Sequence, residues 1–361
     1  MKVFPLECID LEKAKNKQFH LIDVITNHFR GNEILQTGDL GLVTGIYKPS
    51  VTAKVEKVLA DFFGAEAAVL VRGSGTAAIR WALYAMVRPG ETLLVHDAPL
   101  YPTTAVTVEN MGIQLLKVDF NDIDAVSSIL EKQGVKAALV QHARQKPDDS
   151  YSLSEVAAMI KQKDIPMLTD DNYAVMRVNK IGVECGADLS TFSTFKLLGP
   201  EGVGCVVGKK EYIDKIVAAN YSGGGQIQGH EAMACMRGMV YAPVAMAIQG
   251  QVVDGVCHRL NAGEIKGIRQ AIIVNAQSKV LLVEFIEDIA KNVLQMAEKL
   301  GAAPYPVGSE SKYEFVPMFY RISGTFRATD PSLEKRMIRI NPMRSGADTI
   351  IRILKEAMTI K

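Results

Sequence analysis

The sequence has almost no net charge: 41 Lys and Arg stand against 40 Asp and Glu, leaving +1. Neither nucleic acid nor an anionic membrane is an expected partner of such a balance. Cysteine is scarce as well. The five thiols (Cys8, Cys185, Cys205, Cys235, Cys257) are an odd number and widely scattered, and no pair has zinc-ligand spacing. Reduced thiols are the simplest account, so neither a disulfide framework nor a metal site is expected. Long apolar runs are missing too. The longest have strand length and are broken by Gly or charge, which excludes a membrane-spanning helix. Met1 to Lys13 mixes polar and charged residues and lacks the apolar core of a signal peptide. These absences together read as a cytoplasmic protein. No internal repeat or low-complexity segment stands out.

What is present is ordinary in composition and specific in order. Apolar residues make up 48% of the 361 and charged residues 22%, which suits a large domain with a smaller companion. From residue 65 onward, short β-rich runs alternate with helical segments. The runs are 67–71, 92–96, 113–118, 137–141, 166–169, 189–194 and 203–208, with helices such as 76–86 and 153–161 between them. That alternation is the signature of a mostly parallel sheet covered by helices. Only 195–202 separates the last two runs, too little for a crossover helix, so that pair should be antiparallel. The expected fold class is therefore α/β, a seven-stranded mixed sheet with Lys196 at the end of strand six, plus a smaller α+β domain.

Ser50 is a candidate N-cap for a helix over 51–63, and 38–45 is a glycine-rich arm. After Ser222 to Gly225 the sequence turns helical, with a long helical stretch expected at 282–299. Later extended segments are expected at 313–321 and 337–340, and a terminal helix from Ala347. The expected organisation is an N-terminal arm at 1–48 that contributes to the small domain, a large domain at 49–254 and a small domain at 255–361.

Three motifs could carry chemistry. Arg72-Gly73-Ser74-Gly75-Thr76-Ala77-Ala78 lies between a strand and a helix. Glycines there let backbone N–H groups approach an anion at the helix start. The residues fit a dinucleotide fingerprint, with Asp97 as ribose acid, a cup for a single phosphate, or a plain tight turn. Next, Asp170 and Asp171 end a buried-looking strand, where an acid can cap the following element or hold a proton on a cationic heterocycle. Last, Lys196 precedes Leu197-Leu198-Gly199-Pro200-Glu201-Gly202-Val203-Gly204. Alone it would be a solvated hairpin tip. One strand step after the acid, it is a candidate Schiff-base lysine for an aldehyde cofactor.

Strand-SGT-helix, a strand-end Asp and then a Lys one strand later resemble the fold type I pyridoxal-phosphate (PLP) enzymes. The run from Lys196 to Gly204 is similar to the K-x-x-G-P-x-G-x-G signature of class V aminotransferases. The resemblance covers residues 45–210 well. It implies PLP as cofactor, with its phosphate on Gly73, Ser74, Gly75, Thr76 and Ser193. It implies Lys196 as catalytic lysine and Asp170 as partner of the pyridine nitrogen, with Asp171 as runner-up. Tyr101 sits where the PLP enzymes of Cys/Met metabolism stack an aromatic ring. Gln141 and His142 would lie near the phenolic oxygen. Arg339, or alternatively Arg344, would grip the substrate carboxylate. Tyr47 and Ser222 to Gln226 would reach the cofactor of a neighbouring subunit in a homodimer.

The sequence also departs from class V. Phe195 stands where that family usually has His before the lysine, no Gln follows Asp170, and Tyr101 replaces a stacking His. The resemblance thus implies a PLP enzyme acting on an amino acid. An aminotransferase with a 2-oxo acid acceptor is the first expectation, and a β/γ-elimination lyase cleaving C–S bonds the alternative. Racemase or aldolase chemistry would follow from the same first steps. Outside the PLP enzymes stand an NAD-dependent oxidoreductase and a catalytically inert binding protein.

Overall fold

The computed structural model describes residues 3–132, 134–146, 148–275, 279–306, 310–322 and 330–359. The chain divides into two compact units. One comprises 15–145 and 150–243, the other 1–14, 146–149 and 244–361.

The larger unit is built on a seven-stranded sheet. Its strands are β1 (Ala67–Arg72), β2 (Thr92–His96), β3 (Gln114–Val118), β4 (Val135–Gln141), β5 (Met167–Asp170), β6 (Leu189–Ser193) and β7 (Val203–Gly208). They lie in the order β1-β7-β6-β5-β4-β2-β3. Neighbours from β6 through β3 are parallel, and β7 runs antiparallel to both β1 and β6. This is the mixed sheet expected from the short link around Lys196.

Helix α1 (Leu11–His28) precedes α2 (Ser50–Phe62), and α3 (Ser74–Met86) follows β1 directly. The buried face of α3 carries Ala77, Ala78, Ala82 and Leu83. Small side chains let this helix lie close over the sheet, and its fully buried Leu83 contributes about 1.5–3 kcal/mol. Helices α4 (Pro102–Asn110), α5 (Ile123–Lys132) and α6 (Leu153–Lys161) fill the crossovers, and α7 (Lys210–Ala219) follows β7. Helix α8 (Gly229–Asn261) contains Pro243, and the division between the units falls directly after that proline.

Ser50 is not the N-cap of α2. Pro49 holds that position, and Ser50 is the first helical residue. The Asp39 carboxylate does the capping from outside, accepting the amides of Ser50 (2.6 Å) and Val51 (3.0 Å).

The second unit carries a four-stranded antiparallel sheet of β8 (Ile268–Asn275), β9 (Lys279–Phe285), β10 (Met318–Arg321) and β11 (Met337–Asn341), ordered β10-β11-β9-β8. Helices α9 (Ala290–Lys299), α10 (Leu333–Arg336) and α11 (Ala347–Thr359) accompany it. Two expectations are corrected here. The stretch 282–299 is not one helix: Val280 to Phe285 form a strand, and the helix starts at Ala290. Of 313–321, only Met318–Arg321 is strand, while Tyr313 and Phe315 are exposed. The terminal helix begins at Ala347 as expected.

Candidate active site

Asp170 ends β5 and Asp171 follows it, its amide still bonded to Thr191 O of the next strand, and an extended chain turns successive side chains to opposite faces. Asp170 lines a cleft with His96, Tyr101, Gln141, Gln145 and Tyr151. Asp171 goes the other way and is 0% exposed. Its carboxylate accepts from Thr169 Oγ1 and from the Gly182 amide (3.2 and 3.3 Å), and it pairs with His142 Nδ1 at 2.7 Å. His142 is thus tied to a buried acid and is not among the residues lining the cleft. Its neighbour Gln141, paired in register with Asp170, lines it instead.

Asn172 ties the acid to the lysine. Its backbone N–H (3.0 Å) and Nδ2 (2.7 Å) both donate to Asp170 Oδ1. Its Oδ1 accepts the Ser193 amide at 2.9 Å and Lys196 Nζ at 3.4 Å. Lys196 sits in the 3-10 turn Thr194–Leu197 directly after β6, with Nζ 3.8 Å above the centre of the Tyr173 ring. The turn closes through Leu198 in a left-handed conformation (φ 64°) and through the Gly199 amide, which donates to Thr194 O at 3.0 Å. Sequence reasoning did not single out Asn172. The one available signal was its place two residues after Asp170, where an Asp side chain commonly accepts a backbone N–H.

Burial pushes the Asp170 carboxyl above the ordinary carboxylate range; the Asn172 side-chain hydrogen bond and the Lys196 charge pull against it. No hydrogen bond among the described residues reaches Asp170 Oδ2.

The glycine turn before α3 is docked on the segment that follows the lysine. Gly73 is left-handed (φ 103°), and the amides of Gly73 (2.7 Å) and Ser74 (3.1 Å) both donate to Gly202 O. Those two amides are therefore engaged, and the helix start offers the amides of Gly75 and Thr76, which have no intrahelical acceptor. Ser74 Oγ lies 3.2 Å from Ser193 Oγ, so the two hydroxyls expected for a phosphate meet there. Thr76 Oγ1 pairs with Thr103 Oγ1 at 3.0 Å, linking the turn to the start of α4, where Tyr101 is the N-cap and 44% exposed.

Gly204 of β7 permits the close approach, since a Cβ there would sit 2.1 Å from Ser74 O. The backbone, not a movable side chain, is the obstacle. Gly204→Ala should therefore cost about 1–3 kcal/mol in denaturant unfolding and weaken PLP uptake by displacing the Ser74 turn. Wild-type stability and uptake in the variant would contradict the docking argument.

Tyr47 lies elsewhere, on the arm, 64% exposed and left-handed (φ 53°). The Ser222 to Gln226 stretch forms a short 3-10 turn, and Gln226 O accepts Arg72 Nη2 at 3.0 Å. In the C-terminal unit, Arg339 Nε donates to Arg321 O at 2.9 Å, and the guanidinium lies 4.1 Å over the Tyr320 ring. Its Nη1 is buried without a hydrogen-bond partner among the described residues. Arg344 Nη1 donates to Gln249 Oε1 at 3.1 Å.

The donor set fits PLP. A buried acid resists ionisation unless a cation joins it, and a ring nitrogen that carries a proton is such a cation. Two hydroxyls converge at the start of a 13-residue helix, and a lysine stands beside the acid. These features, on this sheet, are those of a PLP-dependent enzyme of fold type I.

The chain belongs to the Cys/Met metabolism PLP-dependent enzyme family, whose model matches residues 45–252; residues 254–354 match the YhfS-like C-terminal domain. It is 55% identical to the uncharacterized protein YhfS of Escherichia coli (strain K12) over 99% of both chains. The crystal structure of the pyridoxal-5'-phosphate dependent protein YhfS from Escherichia coli superposes with a TM-score of 0.98, covering 99% of each chain. More distant structures share the fold. Cystathione gamma lyase (CalE6) from Micromonospora echinospora has a TM-score of 0.70 at 16% identity, covering 88% of both chains. Cystathionine gamma synthase from Xanthomonas oryzae pv. oryzae has a TM-score of 0.68 at 16% identity, covering 87% of this chain and 86% of that one.

The family matched is thus that of Cys/Met metabolism rather than the class V aminotransferases that the lysine signature resembles. Phe195, the missing Gln after Asp170 and Tyr101 are where the sequence leaves class V. The dinucleotide reading of the glycine turn falls with the same finding, and the amides of Gly73 and Ser74 are engaged by Gly202 O. No described helix is long and apolar enough to cross a membrane.

Proposed function

We propose that this enzyme is a lyase of the C–S type, which eliminates a sulfur leaving group from the β- or γ-carbon of an amino acid. The observation that carries the reading is the pairing of Tyr101 with Asp170 in one cleft. In this reading the Tyr101 ring would lie over the cofactor, and its phenol would be the proton donor that a leaving thiolate needs. The aminotransferase reading lacks such support, because its expected stacking residue and flanking residues are replaced here.

In this reading PLP, when bound, supplies the electron sink for the pair left on Cα when its proton departs. Lys196 Nζ would hold the cofactor at its aldehyde carbon and, as a free amine, would take the Cα proton. Asp170, fixed at a strand end and buried, would hold the proton on the ring nitrogen. Ser74, Ser193 and the amides of Gly75 and Thr76 hold the phosphate. Arg339, or alternatively Arg344, would hold the substrate carboxylate by bidentate pairing. Tyr101 Oη gives a proton to the departing sulfur. A homodimer in which Tyr47 serves the other subunit's cofactor agrees with the exposure of Tyr47.

The test is direct. Holoenzyme is incubated with S-substituted cysteines and homocysteines, with and without a 2-oxo acid. Elimination releases thiol, ammonia and a 2-oxo acid with no acceptor present. Product formed only when an acceptor is added, with no thiol released, would return the enzyme to the aminotransferases.

A further inference from the structure

Lys196 and Asp170 come from different strands, and one carboxamide spans them. Asn172 donates through Nδ2 to Asp170 Oδ1 (2.7 Å) and accepts through Oδ1 from the Ser193 amide (2.9 Å) and Lys196 Nζ (3.4 Å). The orientation of this amide follows from its partners. A backbone N–H and an amine require an acceptor on one side, and a carboxylate requires a donor on the other. A flipped amide would set donor against donor and acceptor against acceptor.

Space for the group is provided by Gly75. A Cβ at that position would sit 2.6 Å from both Asn172 Nδ2 and Asn172 Oδ1. The glycine of the phosphate turn is therefore required by Asn172 as well as by any anion. The same side chain touches the turn, the acid, the lysine and Ser193, which carries a phosphate-side hydroxyl.

We propose that Asn172 is a positioning residue: by occupying Asp170 Oδ1 with two N–H donors it leaves Oδ2 to face the cofactor ring, and it holds the ionised acid and the lysine amine in register. This rests on the PLP reading of the site. The direction of the effect follows from the charges. Donors to a buried carboxylate favour its ionised form, and Asn172 is the largest influence opposing the effect of burial on Asp170. Without the amide, less negative charge stands beside the ring, and every protonated form of the bound chromophore is less favoured.

The experiment compares wild type, Asn172→Leu and Asn172→Ser, each reconstituted with saturating PLP. The first readout is the pH midpoint of the visible absorption band; the second is the split between kcat and KM. Asn172→Leu should lower the midpoint by about one pH unit. It should reduce kcat by about 10²-fold, with KM changed far less. Asn172→Ser keeps a hydroxyl able to serve one of the two sides and should fall between Leu and wild type in both readouts. An unchanged midpoint in PLP-loaded Asn172→Leu would overturn the proposal, as would full recovery of kcat at higher PLP concentration, because a residue that merely helps bind the cofactor behaves that way. If the wild-type protein takes up no PLP, the functional reading itself fails, and this inference with it.

Discussion

Lys196→Ala should yield a folded protein that stays colourless with excess PLP and has lost at least about 10³-fold in activity. Folding should survive because the side chain is only half-buried and lies in a turn after the strand, outside the apolar core. The loss should come from nucleophilicity rather than charge. Lys196→Arg separates the two: it keeps a cation in the same turn but remains protonated at any working pH. It should be as inactive as the alanine variant. In the wild type, borohydride reduction should leave the pyridoxyl group on Lys196 in a peptide map. A yellow Lys196→Ala protein, or a label on another lysine, would remove Lys196 from its role.

The two adjacent acids should fail in opposite ways. Asp170→Asn should keep the fold and lose about 10²-fold or more in kcat, because an amide cannot hold a proton on the ring nitrogen as an anion does. Asp171→Asn should instead lose about 3–5 kcal/mol of stability. Its carboxylate accepts from Thr169, His142 and Gly182 with no access to water. An amide there would point N–H groups at donors. The pH dependence separates the acids further. Burial raises the pKa of Asp170 above its ordinary value, so the folded apoenzyme binds that proton more tightly than the unfolded chain. This contribution favours folding at low pH and is lost as pH rises through the native pKa. Asp170→Asn removes it, so denaturation of the apo variant should depend less on pH across that window. Equal loss of stability in both variants would mean that the cleft does not discriminate between them.

The larger unit was legible because each strand is bounded by Gly, Pro or an acid and every parallel crossover but that from β5 to β6 holds an α-helix. The antiparallel β7 followed from chain length alone. The smaller unit was not legible in the same way. Val280 to Phe285 are buried throughout, since Leu281, Val283 and Phe285 pack into one apolar cluster and Val280 and Leu282 into another. A strand covered on both faces shows no alternation, and it merges in sequence with the helix that follows. Tyr313 and Phe315 misled in the other direction, as apolar residues in an exposed turn. In the site, order along the chain pointed to Ser74, Asp170, Ser193 and Lys196. It did not settle which way a strand-end residue faces. His142 was expected beside the cofactor, yet one position of parity puts Gln141 at the cleft and His142 on Asp171. Asn172 has no spacing rule, because a carboxamide that bridges two strands is recognised only once both strands are placed.

The turn before α3 hangs from Gly202 O and rests against Gly204, and β7 lies between β1 and β6. During synthesis the Ser74 turn leaves the ribosome long before the strand that supports it. Bringing β7 back to β1 closes a long loop, at an entropic cost that grows slowly with length, and such non-local pairing is slow. A nascent or truncated chain ending before Gly208 therefore has the Ser74 turn but not the strand on which it rests. In this protein the appearance of yellow colour in refolding should mark the insertion of β7, and cofactor capture becomes a clock for completion of the sheet.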